Sequence, residues 1–238
     1  MLLVDTAATG EILAALENPS VCGFTTNPKL IAAASGKAAL SVRAYRDFCE
    51  SLCRFAGGDR RIRHVMIQTI ATGAHTRDLA MACREELIHA GATPEIPTLW
   101  IKLPPTLQDL RGIEALRREG CKSLVTAVFT PAQALLAMES GADGIAVYFG
   151  RLKNHCVDWE RQLTIIVEIM REKNGLLLLA SLSEPGLLTQ SLAFSRDVTA
   201  PPALVETLMD SPLSKSAMKE FASRVETYSG ESGFTAAD

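Results

Sequence analysis

A single (β/α)8 barrel is the fold class the sequence predicts, and three observations predict it. Eight short apolar runs alternate with longer amphipathic stretches along the chain, the pattern of buried parallel strands joined by crossover helices. The 238 residues come close to the roughly 250 typical of one such barrel. No G-x-G-x-x-G follows the first run; this weighs against the rival, an open doubly wound sheet, and eight evenly spaced units close naturally. Length alone also permits two small domains. No linker, internal repeat or low-complexity segment divides the chain, so residues 1–238 are read as one domain.

Taken in order, the first strand is Leu2–Asp5, followed by a helical pattern over Ala8–Leu16. Val21–Thr25 is the second strand, with a helix over Ala39–Phe55 behind it, and His64–Thr69 is the third, followed by His75–His89. The segment Ala90–Pro97 that leads to the fourth strand, Thr98–Leu103, is slightly longer than the pattern requires. Leu107–Arg118 is the next helix, Ser123–Val128 the fifth strand, and Thr130-Pro131 offers an N-cap with proline at the first position of a helix over Pro131–Met138. Gly144–Phe149 and Leu176–Ser181 are strands six and seven, separated by a helix over Trp159–Glu172. Glu184-Pro185 opens the helix Pro185–Ala193 less ideally, and Asp197–Ala200 with Ala203–Met209 complete the eighth unit. Gly120, Gly141 and Gly175 stand where helices should stop. Beyond the barrel pattern lie an additional helix, 213–225, and a polar tail, 229–238.

Composition excludes several classes. The apolar fraction of 47 % supports a large core, and with only 5 % aromatic residues that core must be built from Ala, Leu, Val and Ile. A net charge of −3 without a basic block gives no electrostatic reason to expect nucleic acid. No apolar run approaches the ~20 residues of a membrane span. Leu2, Leu3 and Val4 before Asp5 are too few for the core of a secretory signal. Six cysteines, at 22, 49, 53, 83, 121 and 156, form neither a disulfide framework nor a zinc pattern. They read as structural thiols in a reducing, cytoplasmic setting. His64, His75, His89 and His155 offer poor ligand spacing, so no metal and no other cofactor is expected.

Lys102 carries the chemical argument. It stands near the C-terminal end of an interior strand, within Thr98-Leu-Trp-Ile-Lys-Leu-Pro-Pro105. Burial there disfavours the ammonium and populates the neutral amine, the nucleophile that condenses with a ketone. The plainer alternative is a lysine that packs its stem and lifts its charge to water. Barrel active sites sit where strands finish. The other strand ends present Asp5, Asn27, Gln68, Thr126, Tyr148 with Arg151, and Ser181: a carboxyl, amides, hydroxyls and a guanidinium, the kit for proton transfer and for binding substrate hydroxyls. Simpler roles exist for each: Asn27 as the cap of a helix beginning at Pro28, Thr126 as a strand residue bonded to its own backbone, Asp5 as a strand-end hydrogen bond.

Leu3-Val4-Asp5-Thr6, Thr25-Thr26-Asn27-Pro28, Trp100-Ile101-Lys102-Leu103-Pro104, Val125-Thr126-Ala127-Val128-Phe129 and Ala180-Ser181 match, in order, landmarks of the transaldolase family. The chain resembles most closely the subfamily of fructose-6-phosphate aldolases and short transaldolases, from about Leu2 to Val225. The resemblance implies a β/α barrel in which Lys102 forms a Schiff base with a dihydroxyacetone unit. It implies that Asp5 holds donor hydroxyls and assists proton transfer, that Asn27 binds donor hydroxyls, and that Gln68, Thr126 and Tyr148 position the proton-carrying water. Arg151 and Ser181 would bind the phosphate of the sugar. The substrate-binding set is thus Thr26, Asn27, Arg151, Ser181 and Ser183, and the partner a sugar or sugar phosphate.

Three features separate the two activities of the subfamily. Gln68 stands where transaldolases usually carry Glu, Tyr148 where they typically carry Phe, and Leu124 and Ala146 replace polar residues. All lean toward direct aldol cleavage and addition, with transaldol transfer as the alternative and a non-catalytic barrel scaffold as the reading from another class. Ser181-Leu182-Ser183 departs from the family pattern of an aromatic residue followed by Lys or Arg. An altered acceptor end, a sulfonate or an unphosphorylated aldehyde, is one expectation; compensation by Lys153 is another. The subfamily also implies a homo-oligomer in which the C-terminal helix packs on a neighbour, here with Leu213–Val225, Tyr228 and Phe234; packing of the same segment against the bottom of its own barrel is equally consistent with the pattern.

Overall fold

The eight apolar runs become eight parallel strands that close on one another in sequence order. The computed structural model describes residues 1–70, 74–91 and 96–224. The strands are β1 (Leu2–Asp5), β2 (Val21–Thr25), β3 (His64–Gln68), β4 (Thr98–Leu103), β5 (Lys122–Val128), β6 (Gly144–Tyr148), β7 (Leu176–Ala180) and β8 (Val198–Ala200). Around them run α1 (Thr9–Ala15), α2 (Pro28–Ala34), α3 (Val42–Gly57), α4 (Ala74–His89), α5 (Leu107–Leu110), α6 (Ile113–Arg118), α7 (Pro131–Glu139), α8 (Phe149–His155), α9 (Trp159–Lys173), α10 (Pro185–Ser191), α11 (Pro202–Glu206) and α12 (Pro212–Ala222). The closed ring excludes the open doubly wound sheet.

Side chains alternate across each strand, which sorts the core into two bodies. Outward residues such as Val65, Ile101, Val125, Ile145 and Leu179 pack against the helices. Inward residues Leu3, Cys22, Met66, Trp100, Leu124, Ala146 and Leu178 form a separate apolar plug inside the barrel. Two residues further along those strands stand Asp5, Gln68, Lys102, Thr126, Tyr148 and Ala180. The period-2 alternation therefore stacks a largely polar layer directly on an apolar one.

Two irregularities tune this alternation. On β2 the pairing passes from Leu2↔Val21 to Val4↔Phe24, an extra residue that turns Phe24 outward and leaves Thr25 facing Asp5. Gly23 makes the bulge possible: it has φ +154°, and a Cβ there would lie 2.0 Å from the His64 carbonyl oxygen. On β5 the register shifts between Thr126 and Val128, with Ala127 in the left-handed region at φ 57°.

Local signals explain most boundaries. Thr130 closes a capping box with Gln133. Asn27 caps α2, whose start at Pro28 the sequence indicates. Other boundaries differ from the sequence reading. The helix expected over Leu107–Arg118 breaks at Arg111-Gly112 into α5 and α6. Phe149, read as the end of a strand, opens α8, a helix the pattern did not reveal because its seven residues are too few for a period. The eighth-unit helix is shorter than Ala203–Met209, and the additional helix runs Pro212–Ala222 rather than 213–225. At the end of α9 it is Asn174, φ 53°, that takes the left-handed conformation. Gly175 serves close approach instead, since a Cβ there would meet Met138 Cε at 2.4 Å. The tail 229–238, with Phe234, and Tyr228 lie outside the described residues, as do four residues of the Ala90–Pro97 segment. Five cysteines are buried and all six are free. No helix among the described residues is long and apolar enough to cross a membrane.

Candidate active site

Lys102 is 4 % exposed, so its stem does not lift the charge to water. Its Nζ donates to the Thr26 carbonyl at 3.0 Å. Burial pushes its pKa below the ordinary lysine value, opposed by the attraction of Asp5. The result is an amine held by the main chain, with its neutral form favoured by the surroundings.

Asp5 is oriented by a short relay across neighbouring strands. Thr25 Oγ1 donates to Asp5 Oδ1 at 2.7 Å, and Thr25 and Thr199 hydroxyls lie 2.8 Å apart. With the Thr25 hydrogen committed to the carboxyl, Thr199 is the donor in the second bond. Sequence reasoning singled out neither Thr25 nor Thr199; Thr25 was visible in the Thr-Thr-Asn-Pro motif, whereas Thr199 carries no local signal beyond being a hydroxyl inside an apolar run.

Around the lysine, three buried polar atoms have no protein partner: Thr26 Oγ1, Gln68 Oε1 and Thr126 Oγ1. Gln68 is the direct register partner of Lys102, and its main-chain carbonyl is pinned by the Tyr45 hydroxyl at 2.5 Å. A hydroxyl bonded to its own backbone would have explained Thr126 as a mere strand residue, and the geometry does not show it. Asn27 does perform its simpler role, with Oδ1 accepting from the Leu30 amide at 3.1 Å, and it also faces the cavity described next. Tyr148 is wedged between the edge of Phe129, at 5.9 Å, and the Arg151 guanidinium, 5.0 Å from its ring centre.

A cavity of about 380 Å³ opens above this layer. Of the ten residues expected from sequence, seven line it: Asp5, Asn27, Gln68, Lys102, Tyr148, Arg151 and Ser181. Thr26 contributes its carbonyl from the wall, and Thr126 lies buried beside the cavity at 1 % exposure. Ser183 is exposed and is not part of the lining. Lys153 also turns away, its amine bonded to Gln190 and 5.7 Å from the Trp159 ring centre. Ser181 is held at φ 62° immediately after β7, against a neighbour that must be glycine: a Cβ on Gly150 would lie 2.2 Å from the Ser181 carbonyl oxygen. Lys29 and Thr199 line the cavity without having been expected there. A larger cavity, about 580 Å³, lies beside Tyr45 and His75. Its lining carries no amine that could condense with a ketone. Among the described residues no three His, Cys, Asp or Glu side chains gather as metal ligands.

The profile of the family described as Transaldolase/Fructose-6-phosphate aldolase matches residues 2–234. A probable transaldolase of Chlorobium phaeobacteroides is 31 % identical over 223 residues, covering 92 % of both chains. One from Thermus thermophilus is 30 % identical over 226 residues, covering 92 % of this chain and 95 % of its own. Among solved structures, a 2,3-dimethylmalate lyase superposes with a TM-score of 0.56 at 13 % identity, covering 99 % of this chain and 85 % of its own. That last likeness speaks for the barrel alone.

Proposed function

The chain belongs to the transaldolase/fructose-6-phosphate aldolase family, and on that premise we propose that it makes and breaks carbon–carbon bonds through a Schiff base on Lys102. Membership makes it an enzyme of the aldolase/transaldolase type, which sets aside the inert scaffold. The single observation that carries the Schiff-base reading is the placement of Lys102: buried, bonded to a main-chain carbonyl, its pKa pushed down, on the floor of a cavity that Asp5 shares.

The neutral amine attacks the carbonyl carbon of a dihydroxyacetone-type ketone, and the carbinolamine loses water to give an iminium ion. Gln68, Thr126 and Tyr148 hold the water that carries protons in these steps, a role that accords with the free acceptor atoms on Gln68 and Thr126. The bond to the aldehyde portion breaks as the hydroxyl on that carbon gives its proton to a nearby base. Its electron pair moves onto the iminium, leaving an enamine. Asp5, steadied by Thr25, with Asn27, binds the donor hydroxyls and assists these transfers. Arg151 and Ser181 take the phosphate of the sugar. Protonation and hydrolysis of the enamine complete cleavage; attack on a second aldehyde completes transfer.

Direct aldol chemistry is the finer reading, because the amide of Gln68 cannot give and regain a proton as a carboxyl does, leaving that duty to the Tyr148 phenol. Transaldol transfer is the second reading, favoured by the names of the relatives, each a probable transaldolase. Intact-protein mass measured after borohydride reduction tests the shared step: a ketone-dependent mass increase is expected, and its persistence in Lys102→Met would overturn it. Aldehyde release from fructose 6-phosphate without an acceptor separates aldolase from transaldolase. The free thiols accord with a reducing, cytoplasmic setting. Helix α12 has no buried residue, and Leu213, Met218 and Phe221 on it are more than two-thirds exposed. These features support a homo-oligomer assembled through that helix.

A further inference from the structure

Strand β3 ends on a main-chain group that its neighbour β2 cannot satisfy. Between parallel strands the bonds are evenly spaced, and one edge of a strand is served by every second residue of the next. Thr26 N–H donates to the Met66 carbonyl at 3.0 Å, so the next donor along this edge would be residue 28, opposite the Gln68 carbonyl. Residue 28 is proline, which has no N–H to give. The Thr-Thr-Asn-Pro segment therefore stops the ladder one rung short, at the register partner of Lys102.

Tyr45 supplies the missing donor. It stands near the start of α3, is 3 % exposed, and its hydroxyl donates to the Gln68 carbonyl at 2.5 Å. Burial pushes the phenol above its ordinary pKa, so the proton stays on the oxygen. On the other side of the same peptide group, Thr69 N–H donates to the Lys102 carbonyl at 2.9 Å. The peptide that joins Gln68 to Thr69 is thus clamped at both ends, by a helix outside the barrel and by the strand that carries the lysine. The Gln68 side chain hangs from this clamp into the cavity, with its Oε1 buried and free of protein partners. With no bond to steady that oxygen, the backbone beneath it sets its aim.

We propose that Tyr45 is a positioning residue: through the Gln68–Thr69 peptide it aims the Gln68 amide at the water beside Lys102, and so sets the rate of imine formation without contributing to the hold on the ketone. The inference rests on the Schiff-base reading of Lys102 and on the water-holding role of Gln68.

The rate of adduct formation with dihydroxyacetone, quenched by borohydride at successive times and followed against ketone concentration, tests it in the full-length protein. Tyr45→Phe is expected to lower the limiting rate about tenfold to a hundredfold, the scale of a small misplacement of a catalytic group. The half-saturating ketone concentration is expected to stay where it is, since Asp5 and Asn27 are untouched. Gln68→Ala is expected to lower the rate as well, and Tyr45→Phe added to it to lower it little further, because the two act as one unit. Leu52→Ala, which opens a hole in the buried face of the same helix, is expected to lower the Tm and leave the rate unchanged. A wild-type rate in Tyr45→Phe would overturn the proposal. So would a full further loss when Tyr45→Phe is added to Gln68→Ala, a loss shared by Leu52→Ala, or a shift in half-saturation with the limiting rate intact. Absence of any adduct in the wild type defeats the Schiff-base reading itself, and a wild-type rate in Gln68→Ala defeats the role of that amide. An effect of Gln68→Ala that Tyr45→Phe does not share defeats only the role of Tyr45.

Discussion

Lys102 has to serve two requirements that conflict. On the Schiff-base reading a nucleophile needs its proton gone, and burial of the amine at the floor of the cavity, under which the apolar plug lies, pushes its pKa down. The same burial weakens the fold. The unfolded chain keeps the lysine proton up to the ordinary lysine pKa, while the folded chain releases it at lower pH. Stability therefore rises with pH between the depressed and the ordinary value, and the full penalty is present below both. Lys102→Met should abolish the ketone adduct and yet raise the Tm, on the order of 1 kcal/mol or about 2–4 °C, with the gain vanishing above the ordinary lysine pKa. Calorimetry across pH checks this. The rate of imine formation should level off with rising pH well before an exposed lysine would, as a pH series of trapping rates will show. Tyr148→Phe should cost about 10²–10⁴ in kcat with little change in KM, and Gln68→Glu should move product partition from cleavage toward transfer to an added aldehyde. These residues were legible because each is polar just past an apolar run. Lys29 was not: an exposed lysine after a helix-starting proline resembles any surface charge until the barrel places it in the cavity lining.

At the scale of elements, the strands were read almost to the residue, since burial on both faces leaves an apolar run that little else imitates. Helices were read less well. Gly112 looks like an interior helix position until the break at Arg111 shows the chain turning there. The bulges were invisible, because nothing in Gly23 or Ala127 announces that pairing slips by one. The effect on β2 is large, for that bulge leaves the Thr25 hydroxyl facing Asp5. Gly23→Ala should drive a Cβ into the His64 carbonyl and lower stability by about 1–3 kcal/mol, read as a reduced denaturant midpoint. Gly150→Ala should cost a similar amount, and by displacing the Ser181 loop it should raise KM for a phosphorylated sugar more than for dihydroxyacetone.

On the scale of the whole molecule, closure of the ring followed from counting units, but the surface that α12 meets did not, since none of its residues is buried among the described ones. If that surface is a second copy, Phe221→Asp should lower the mass measured by light scattering while leaving the barrel's melting transition in place.

The apolar plug formed by Leu3, Met66, Trp100 and Leu178 with their neighbours has a kinetic consequence. A tube stoppered at one end has a single doorway, so arrivals and departures must queue. On the Schiff-base reading of Lys102, the aldehyde released by cleavage has to vacate the mouth before another can take its place, while the enamine stays attached. Transfer between two sugars should accordingly give parallel lines in double-reciprocal plots, the mark of a ping-pong sequence, and the departing aldehyde should compete with its successor for the same doorway.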